Sequence, residues 1–244
     1  MTADLQQTRI DLAAAYRMAV HHGFNEGICN HFTMMVPGSD EHFLLIPYGL
    51  HWSEVTASSL LVVDFDGNVI EGEGEAEATA FCIHAPIHKA RANARCLLHT
   101  HMPYATALSM LDDFRFPMAS QNELGFYGRI AYDDLYTGLA FDTTEGDRLA
   151  QVMGDADILV MANHGIMIAG ETIWDAYDDL YYLEQACKTL VLAMSTGRDL
   201  RRVPQDVVAH TARQMNRVPD RPGARHHFTA LKRVMDRVLP GYAA

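Results

Sequence analysis

The stretch Arg95-Cys96-Leu97-Leu98-His99-Thr100-His101 is a short apolar run that ends in two histidines separated by one residue. Such a run predicts a buried strand, and side chains i and i+2 of a strand point to the same face. His99 and His101 can therefore direct two imidazoles at one point, as a divalent metal requires of two of its ligands. A pair of surface histidines at a strand end is the alternative interpretation.

A second apolar run, Ile158-Leu159-Val160-Met161, leads into Ala162-Asn163-His164-Gly165. Its histidine lies at the end of another predicted strand, beside a glycine that allows close approach of the backbone. Three histidines from two strand ends predict an open metal site, in which the protein leaves a coordination position for substrate or water. We therefore predict His99, His101 and His164 as metal ligands.

The composition is that of an ordinary globular protein, with 244 residues, 49% hydrophobic residues and a net charge of −12. The length allows a full core within one domain. The negative charge argues against a nucleic-acid partner. No apolar run approaches the ~20 residues needed to span a bilayer, and the segment from Met1 to Arg9 is too polar for a signal peptide. We expect a cytoplasmic protein without a membrane partner. Its four cysteines are widely spaced and are expected to be buried thiols: Cys29, Cys82, Cys96 and Cys187.

Helical periodicity and short apolar runs alternate along the chain, which predicts one α/β domain over residues 1–244 with a central, largely antiparallel sheet. The main predicted helices are Leu5 to His22, Glu77 to Arg91 and Thr172 to Ser195. Residues 200–244 are predicted to form a C-terminal helical tail. Its helices are expected at Asp206 to Gln214 and His227 to Leu239, with a Pro- and Arg-rich break at Val218 to Arg225.

Four further stretches belong to the same recognisable sequence pattern as the three histidines: Gly27 to Val36, Pro47-Tyr48-Gly49, Val63-Asp64-Phe65-Asp66-Gly67 and Ile83-His84. With His164 following 65 residues after His99, they resemble the class II aldolase/adducin family over nearly the whole chain. The resemblance implies an α/β/α sandwich and a homotetramer with active sites at subunit interfaces. It also implies that the three histidines hold one catalytic divalent metal per subunit, Mn²⁺ or Zn²⁺, with Fe²⁺ as an alternative.

The chain departs from the family's sugar-phosphate aldolases at the catalytic glutamate. Those enzymes have Ser-Ser-Glu, with the glutamate 19 residues before the first ligand histidine, and this chain has Ala78-Thr79-Ala80 there. Alanine cannot move a proton, and general acid–base catalysis is worth ~10²–10⁴-fold in rate. Two phosphate-contacting places differ as well, since Asn30-His31 replaces Gly-Asn and Tyr48-Gly49 replaces a Thr-Gly or Ser-Gly turn. The resemblance therefore disfavours an ordinary sugar-phosphate aldolase.

Two kinds of relative lack that glutamate. One is adducin-like, with a domain that serves assembly. The other is a set of bacterial lyases that includes decarboxylases of hydroxylated aromatic or pyridine dicarboxylates. The stretches that look most like this second set are Gly27 to Thr33, Ile83 to His88 and Gln121-Asn122. Because all three ligand histidines are present, the second set is favoured.

The sequence thus predicts a divalent-metal-dependent carbon–carbon lyase. A decarboxylase of a small hydroxylated aromatic or heteroaromatic carboxylate is favoured, with the metal stabilising an enolate-type intermediate. A class II aldolase acting on a non-standard hydroxy-carbonyl substrate is the first alternative. A non-catalytic adducin-like oligomerisation module is the second, and an iron-dependent oxygenase also remains open.

The proton donor that replaces the glutamate is predicted among His31, His84, Tyr127 and a metal-bound water, with the two histidines first. His84 could instead orient other imidazoles or pack in the core. Residues predicted to bind substrate are Asn30, Tyr48, Gly49, Thr79, Gln121 and Asn122. Arginines of the tail are either solvated or pair with a carboxylate of the substrate: Arg221, Arg225 and Arg233.

Overall fold

The computed structural model describes residues 3–216 and 221–244. In chain order the strands are β1 (His31–Met35), β2 (His42–Leu45), β3 (Leu61–Asp64), β4 (Val69–Glu71), β5 (Cys96–Thr100), β6 (Ile130–Asp133), β7 (Ile158–Met161) and β8 (Gly165–Gly170). Within the described ranges they form one sheet of eight strands in the order β4-β3-β2-β1-β5-β8-β7-β6. Only β6 and β7 pair in parallel there. The prediction of a central, mainly antiparallel sheet is confirmed.

The helices are α1 (Ala3–His22), α2 (Ala78–Ala90), α3 (Pro103–Ser109), α4 (Gln121–Leu124), α5 (Thr143–Met153), α6 (Ile173–Met194), α7 (Gln205–Met215) and α8 (Pro222–Val238). Among these helices, none combines the length with the apolarity that crossing a membrane requires.

The central strands bury both of their faces, because successive side chains of a strand point to opposite sides. In β7, Ile158 and Val160 join the core beneath α1 and α6, whereas Leu159 and Met161 join a second core with α2 and α5. The strands β5 and β8 divide their residues in the same way. The chain is therefore an α/β/α sandwich, as predicted.

Helices α2 and α5 lie unusually close together where they cross. A Cβ atom on Gly146 of α5 would lie 2.1 Å from the backbone oxygen of Cys82 in α2. Only glycine fits such a contact. The contact matters for the site because α2 carries His84 and His88 on its buried face.

The C-terminal tail contains two helices, as predicted, but α8 starts at Pro222 rather than at His227. Proline fits the first turn of a helix, where a backbone N–H has no partner within the helix, so Pro222 starts α8 instead of breaking it. The predicted break at Val218 to Arg225 lies partly outside the described residues. Helix α8 packs against α6 and α1.

Candidate metal centre and its cavity

The three predicted ligand histidines meet at the centre of the sheet. His99 ends β5, His101 follows it, and His164 lies in the turn between β7 and β8, which is paired with β5. The ring centroids are 5.1 Å apart for His99 and His101, 4.8 Å for His99 and His164, and 4.9 Å for His101 and His164. Each residue offers one nitrogen, and these atoms all lie within 4.8 Å of one another.

The backbone around His164 is shaped to bring that ring close to the other two. A Cβ atom on Gly165 would lie 2.8 Å from both His101 Cδ2 and the backbone oxygen of Thr100. Asn163 has a φ of +58°, a left-handed conformation that asparagine tolerates better than most residues. Its backbone N–H donates to the Ser109 carbonyl at 3.0 Å. The Asn-Gly pair that flanks His164 thus serves close packing against β5.

Hydrogen bonds at Nδ1 orient two of the three imidazoles. His99 Nδ1 donates to the Ile166 carbonyl at 2.8 Å, and His101 Nδ1 lies 2.6 Å from Glu26 Oε2. Both contacts leave Nε2 free for a metal, and a carboxylate behind a ligand histidine is a common arrangement in metal sites. His101 Nε2 is buried and has no hydrogen-bond partner among the described residues. An unpartnered buried nitrogen is costly unless something binds it.

The protonation state of the site also suits a metal. Burial, reinforced by the neighbouring imidazoles, lowers the pKa of His99 well below its ordinary value and that of His164 to about 4. Both rings are therefore neutral near pH 7 and offer lone pairs, as metal ligation requires. The residues present fit one divalent ion held by His99, His101 and His164.

Glu26→Gln is expected to weaken metal binding by about 10–100-fold, the usual effect of losing a partner that orients a ligand. Glutamine keeps the shape but removes the negative charge that faces His101 Nδ1. The measurement is competition with a chelator of known affinity. Glu41→Gln, in the exposed β1–β2 turn, makes the same charge change away from the site. Equal affinities for the two variants would contradict the role of Glu26.

A cavity of about 860 Å³ opens beside the histidines. Its wall is largely apolar and aromatic, and is formed in part by Ile28, Tyr48, Ile83, Met110, Leu135, Tyr136, Leu139, Phe141 and Leu149. The Tyr136 and His164 ring centroids are 6.2 Å apart. No lysine or arginine lines the cavity within the described part of the chain, although four acidic residues do: Glu26, Glu77, Asp133 and Glu145.

The start of α2, where Ala78-Thr79-Ala80 lies, forms one part of the wall. Ala80 and Thr79 line the cavity there. Glu77 precedes them and caps the helix. Its Oε1 accepts from Thr79 N at 3.1 Å, and its Oε2 accepts from Ala80 N at 2.8 Å and from Thr79 Oγ1 at 2.5 Å. These three hydrogen bonds occupy the carboxylate, which therefore serves mainly the helix.

His31 lines the cavity and lies directly across from His99 in the β1–β5 pair, with ring centroids 5.1 Å apart. Behind it, buried polar groups are joined in a row. His31 Nδ1 is 2.8 Å from His84 Nε2, and His84 Nδ1 is 2.6 Å from Thr33 Oγ1. Thr33 Oγ1 is 2.9 Å from His88 Nε2, and His88 Nδ1 is 2.6 Å from the Ala94 carbonyl. We call His31, His84, Thr33 and His88 the histidine row.

His31 and His84 were predicted to lie near the metal, whereas Thr33 and His88 were not among the predicted site residues. The spacing carried a signal for both. His31 and Thr33 lie two apart on one strand, and His84 and His88 lie four apart on one helix. Each pair therefore faces one side. Glu26, the partner of His101, precedes a tight turn and had no such signal.

The other predicted site residues divide between two places. Asn30 lines the cavity, and its Oδ1 accepts from His101 N at 3.3 Å. Tyr48 lies at the cavity edge, and Gly49 beside it faces a neighbouring shallow depression. Gln121 and Asn122 instead line a separate cavity of about 440 Å³, and Tyr127 binds Gln205 through its hydroxyl at 2.6 Å. Within one subunit, Gln121, Asn122 and Tyr127 therefore do not line the cavity beside the three candidate ligand histidines.

The tail arginines also lie away from the histidines. Arg221 pairs with Asp179 at 2.7 Å and with Asp178 at 3.1 Å. Arg225 lies over the Trp174 ring at 5.6 Å, and Arg233 donates to the Thr229 carbonyl at 3.3 Å. Arg221 and Arg225 thus hold the start of α8 against α6, whereas the hydrogen bond of Arg233 lies within α8.

The known proteins to which this chain is similar are class II aldolase and adducin proteins. The family described as "Class II Aldolase and Adducin N-terminal domain" matches residues 10–191, which include all three histidines. A protein of Caulobacter vibrioides, named provisionally as an aldolase class 2 protein, is 34% identical over 97% of this chain and 92% of its own. Alpha-adducin of Rattus norvegicus is 34% identical over 78% of this chain, but over only 26% of its own length.

Two solved structures extend the similarity to the fold. An aldolase II superfamily protein from Pseudomonas syringae has a TM-score of 0.94 at 35% identity, covering 100% of this chain and 98% of the other. L-fuculose 1-phosphate aldolase from Glaciozyma antarctica PI12 has a TM-score of 0.85 at 25% identity, covering 99% and 96%.

Proposed function

This chain belongs to the class II aldolase and adducin family, and we propose that it is a divalent-metal-dependent carbon–carbon lyase. Its favoured reaction is decarboxylation of a small hydroxylated aromatic or heteroaromatic carboxylate. The observation that carries the proposal is a triad of histidines, with ligand atoms within 4.8 Å of one another, beside an apolar cavity without a cation.

His99, His101 and His164 would hold the metal, with Zn²⁺ or Mn²⁺ expected and Fe²⁺ as an alternative. A metal bound there supplies a Lewis acid for the substrate oxygen next to the bond that breaks. The chain itself keeps His99 and His164 neutral through burial, which lowers their pKa values, and orients His101 through Glu26. Three protein ligands leave a position for substrate, as catalytic sites require.

The cavity wall supports a flat, carboxylated substrate over a sugar phosphate. A phosphate is usually held by arginine, lysine or a helix N-terminus. No arginine or lysine lines this cavity among the described residues, and the N-terminus of α2 in its wall is capped by Glu77. Aromatic side chains such as Tyr48, Tyr136 and Phe141 suit an aromatic ring. As CO2 leaves, the negative charge of the carboxylate passes to the substrate oxygen, where a bound metal would stabilise it.

His31 is the chain's candidate for exchanging a proton with substrate. Its Nδ1 is engaged with His84, so Nε2 is the ring atom left for the cavity. Asn30, Tyr48 and Thr79 line the same cavity and would contact substrate. Ala80 in place of a glutamate argues against the proton transfer that sugar-phosphate aldolases use.

A homotetramer with interfacial active sites is part of the proposal. Gln121, Asn122 and Tyr127 would then reach the cavity only from a neighbouring subunit. The apolar side chains of Leu139 and Phe141, beside the cavity, support an interface there because they are 69% and 71% exposed in one subunit. Large exposed apolar patches mark protein–protein contact sites.

Two other functions have specific support. The similarity to L-fuculose 1-phosphate aldolase favours an aldehyde-lyase acting on a non-standard hydroxy-carbonyl substrate. The similarity to alpha-adducin favours a module that assembles without catalysis. The first differs from our proposal in its product, and the second differs in needing no metal.

The deciding experiment is to load purified protein with Mn²⁺, Zn²⁺ or Fe²⁺ and to supply a panel of hydroxybenzoates and hydroxypyridine carboxylates. We expect stoichiometric metal and metal-dependent CO2 release from at least one compound. Aldehyde release from hydroxy-carbonyl compounds would replace the decarboxylase with an aldolase, and oxygen uptake with iron would indicate an oxygenase. Failure to bind metal would favour the adducin-like module.

A further inference from the structure

The histidine row connects the cavity to a backbone carbonyl through four buried groups. His31 and His88 are 4% and 6% exposed, and His84 and Thr33 are fully buried. His84 and His88 each make hydrogen bonds with both ring nitrogens, and one of these bonds joins His88 to the Ala94 carbonyl. His31 uses only Nδ1, and its Nε2 has no partner in the row. The far end of the row is fixed, because a backbone carbonyl can only accept a hydrogen bond.

The fixed end determines the direction of every hydrogen bond. His88 Nδ1 must carry the proton that the Ala94 carbonyl accepts, at 2.6 Å. Burial lowers the pKa of His88 to about 4, so the ring is neutral near pH 7 and its Nε2 is a lone pair. Thr33 therefore donates its hydroxyl hydrogen to His88 Nε2.

Thr33 has only one hydrogen to donate, so its oxygen must accept from His84. His84 is thus the Nδ1–H tautomer, with its Nε2 as a lone pair, because burial lowers its pKa well below the ordinary value and keeps the ring neutral. His31 Nδ1 must then donate to His84 Nε2, at 2.8 Å. With Nδ1 as the donor, Nε2 is the nitrogen of His31 that can accept a proton from the cavity.

We propose that Thr33 and His88 are positioning residues that fix His31 in its Nδ1–H tautomer, so that the cavity meets a proton acceptor at Nε2. The direction follows from the hydrogen bonds of the row and from the neutral state of its buried imidazoles, whereas its use in catalysis rests on the proposed function. The row also restricts the substrate class, because Nε2 needs a hydrogen-bond donor and a hydroxyl group supplies one. A methyl ether in the same place would leave Nε2 unpaired.

Bonds and protons balance in the decarboxylation step in which His31 would take part. The O–H bond of the substrate hydroxyl breaks and an N–H bond forms at His31 Nε2. As the bond to the carboxylate breaks and CO2 leaves, that N–H bond breaks and a C–H bond forms on the same carbon. The product leaves as its oxyanion and takes a proton from water.

Neutron diffraction on zinc-loaded crystals of the full chain, exchanged into D2O, tests the direction without any assay. We expect deuterium on Nδ1 of His31, His84 and His88 and on Thr33 Oγ1 pointing to His88, with none on His31 Nε2. Deuterium on His31 Nε2 would overturn the proposal. This measurement uses the wild-type protein, so it does not depend on a variant that folds.

Two variants at Thr33 test the consequence for catalysis. Thr33→Val keeps the shape but removes the hydroxyl, so His84 loses its acceptor and both tautomers of His31 become available. We expect kcat to fall about tenfold or more with KM and metal content unchanged, since a misdirected tautomer blocks proton transfer. Thr33→Ser should restore kcat, because serine retains the hydroxyl.

The outcomes separate the row from the proposed function. A Thr33→Val protein with wild-type kcat, or a Thr33→Ser protein as slow as Thr33→Val, would overturn the positioning role. The predicted deuterium pattern in a protein without lyase activity would leave the row correct and the proposed function wrong. Lyase activity together with deuterium on His31 Nε2 would support the proposed function but contradict the proposed direction of the hydrogen bonds in the histidine row.

Discussion

Replacing His99 by alanine is expected to abolish stoichiometric metal binding and to lower turnover by at least about a thousandfold, the upper range for losing one oxyanion-stabilising group. His99 is the most buried ligand, at 2% exposure, and its ring is fixed by the Ile166 carbonyl. Its loss leaves only His101 and His164, and two imidazoles rarely hold a catalytic ion.

The measurement is metal content by mass spectrometry beside turnover in the assay that identifies the product. His210→Ala is the matched control, since His210 is exposed on α7 and lies away from the cavity. Circular dichroism of both variants separates loss of the ligand from loss of the fold. A folded His99→Ala protein that retains one metal per subunit would contradict the assignment of the triad.

The metal-free protein is expected to lose stability steeply as the pH falls from about 6.5 towards 4. Burial lowers the pKa of His88 from 6.5 to about 4 in the folded chain. Below pH 6.5 the unfolded chain therefore binds more protons, and protonation favours unfolding. Since one pKa unit corresponds to about 1.4 kcal/mol, His88 alone should cost ~2 kcal/mol between pH 6.5 and pH 5.

His31, His84 and His99 act in the same direction, because burial also lowers their pKa values. Glu184 acts in the opposite direction. Burial raises its pKa to about 7 while it caps α3 through Tyr104 N and Ala105 N, so acid stabilises the folded state through this group between pH 7 and its ordinary pKa of 4.5. Four buried histidines outweigh one glutamate, and the net effect is loss of stability in acid.

Urea unfolding of metal-free protein at pH 7 and pH 5 measures this effect. We expect a lower midpoint at pH 5 and a smaller difference in a His88→Gln variant, because glutamine does not titrate. A bound metal should hold the ligand imidazoles neutral and shift the transition to lower pH. Equal midpoints at the two pH values would show that the folded chain binds protons at these histidines as readily as the unfolded chain does.

The meeting of the three candidate ligand histidines could be predicted because each follows an apolar run that indicates the end of a strand. The two-residue period of a strand aligns His99 with His101, and the Asn163-Gly165 turn brings His164 beside them. The same period and the apolar runs predicted the sheet. The start of α8 was misplaced because Pro222 was interpreted as part of a break, whereas it occupies the first turn of the helix.

Contacts between distant segments could not be predicted in the same way. Glu26 meets His101 across 75 residues, and Thr33 meets His84 across 51. Such pairings depend on how α2 and the turn before β1 pack on the finished sheet. The resemblance to a family suggested Gln121, Asn122 and Tyr127, but it could not say which subunit supplies them.

The positions of the ligands along the chain have a consequence for the lifetime of the protein. His99 and His164 are 65 residues apart in sequence, and they lie on either side of the central pairing of β5 with β8. An ion held by both closes a long loop and removes chain entropy that unfolding would otherwise recover. Metal supply would then govern degradation as well as activity, because a chain without its ion opens more often to proteases.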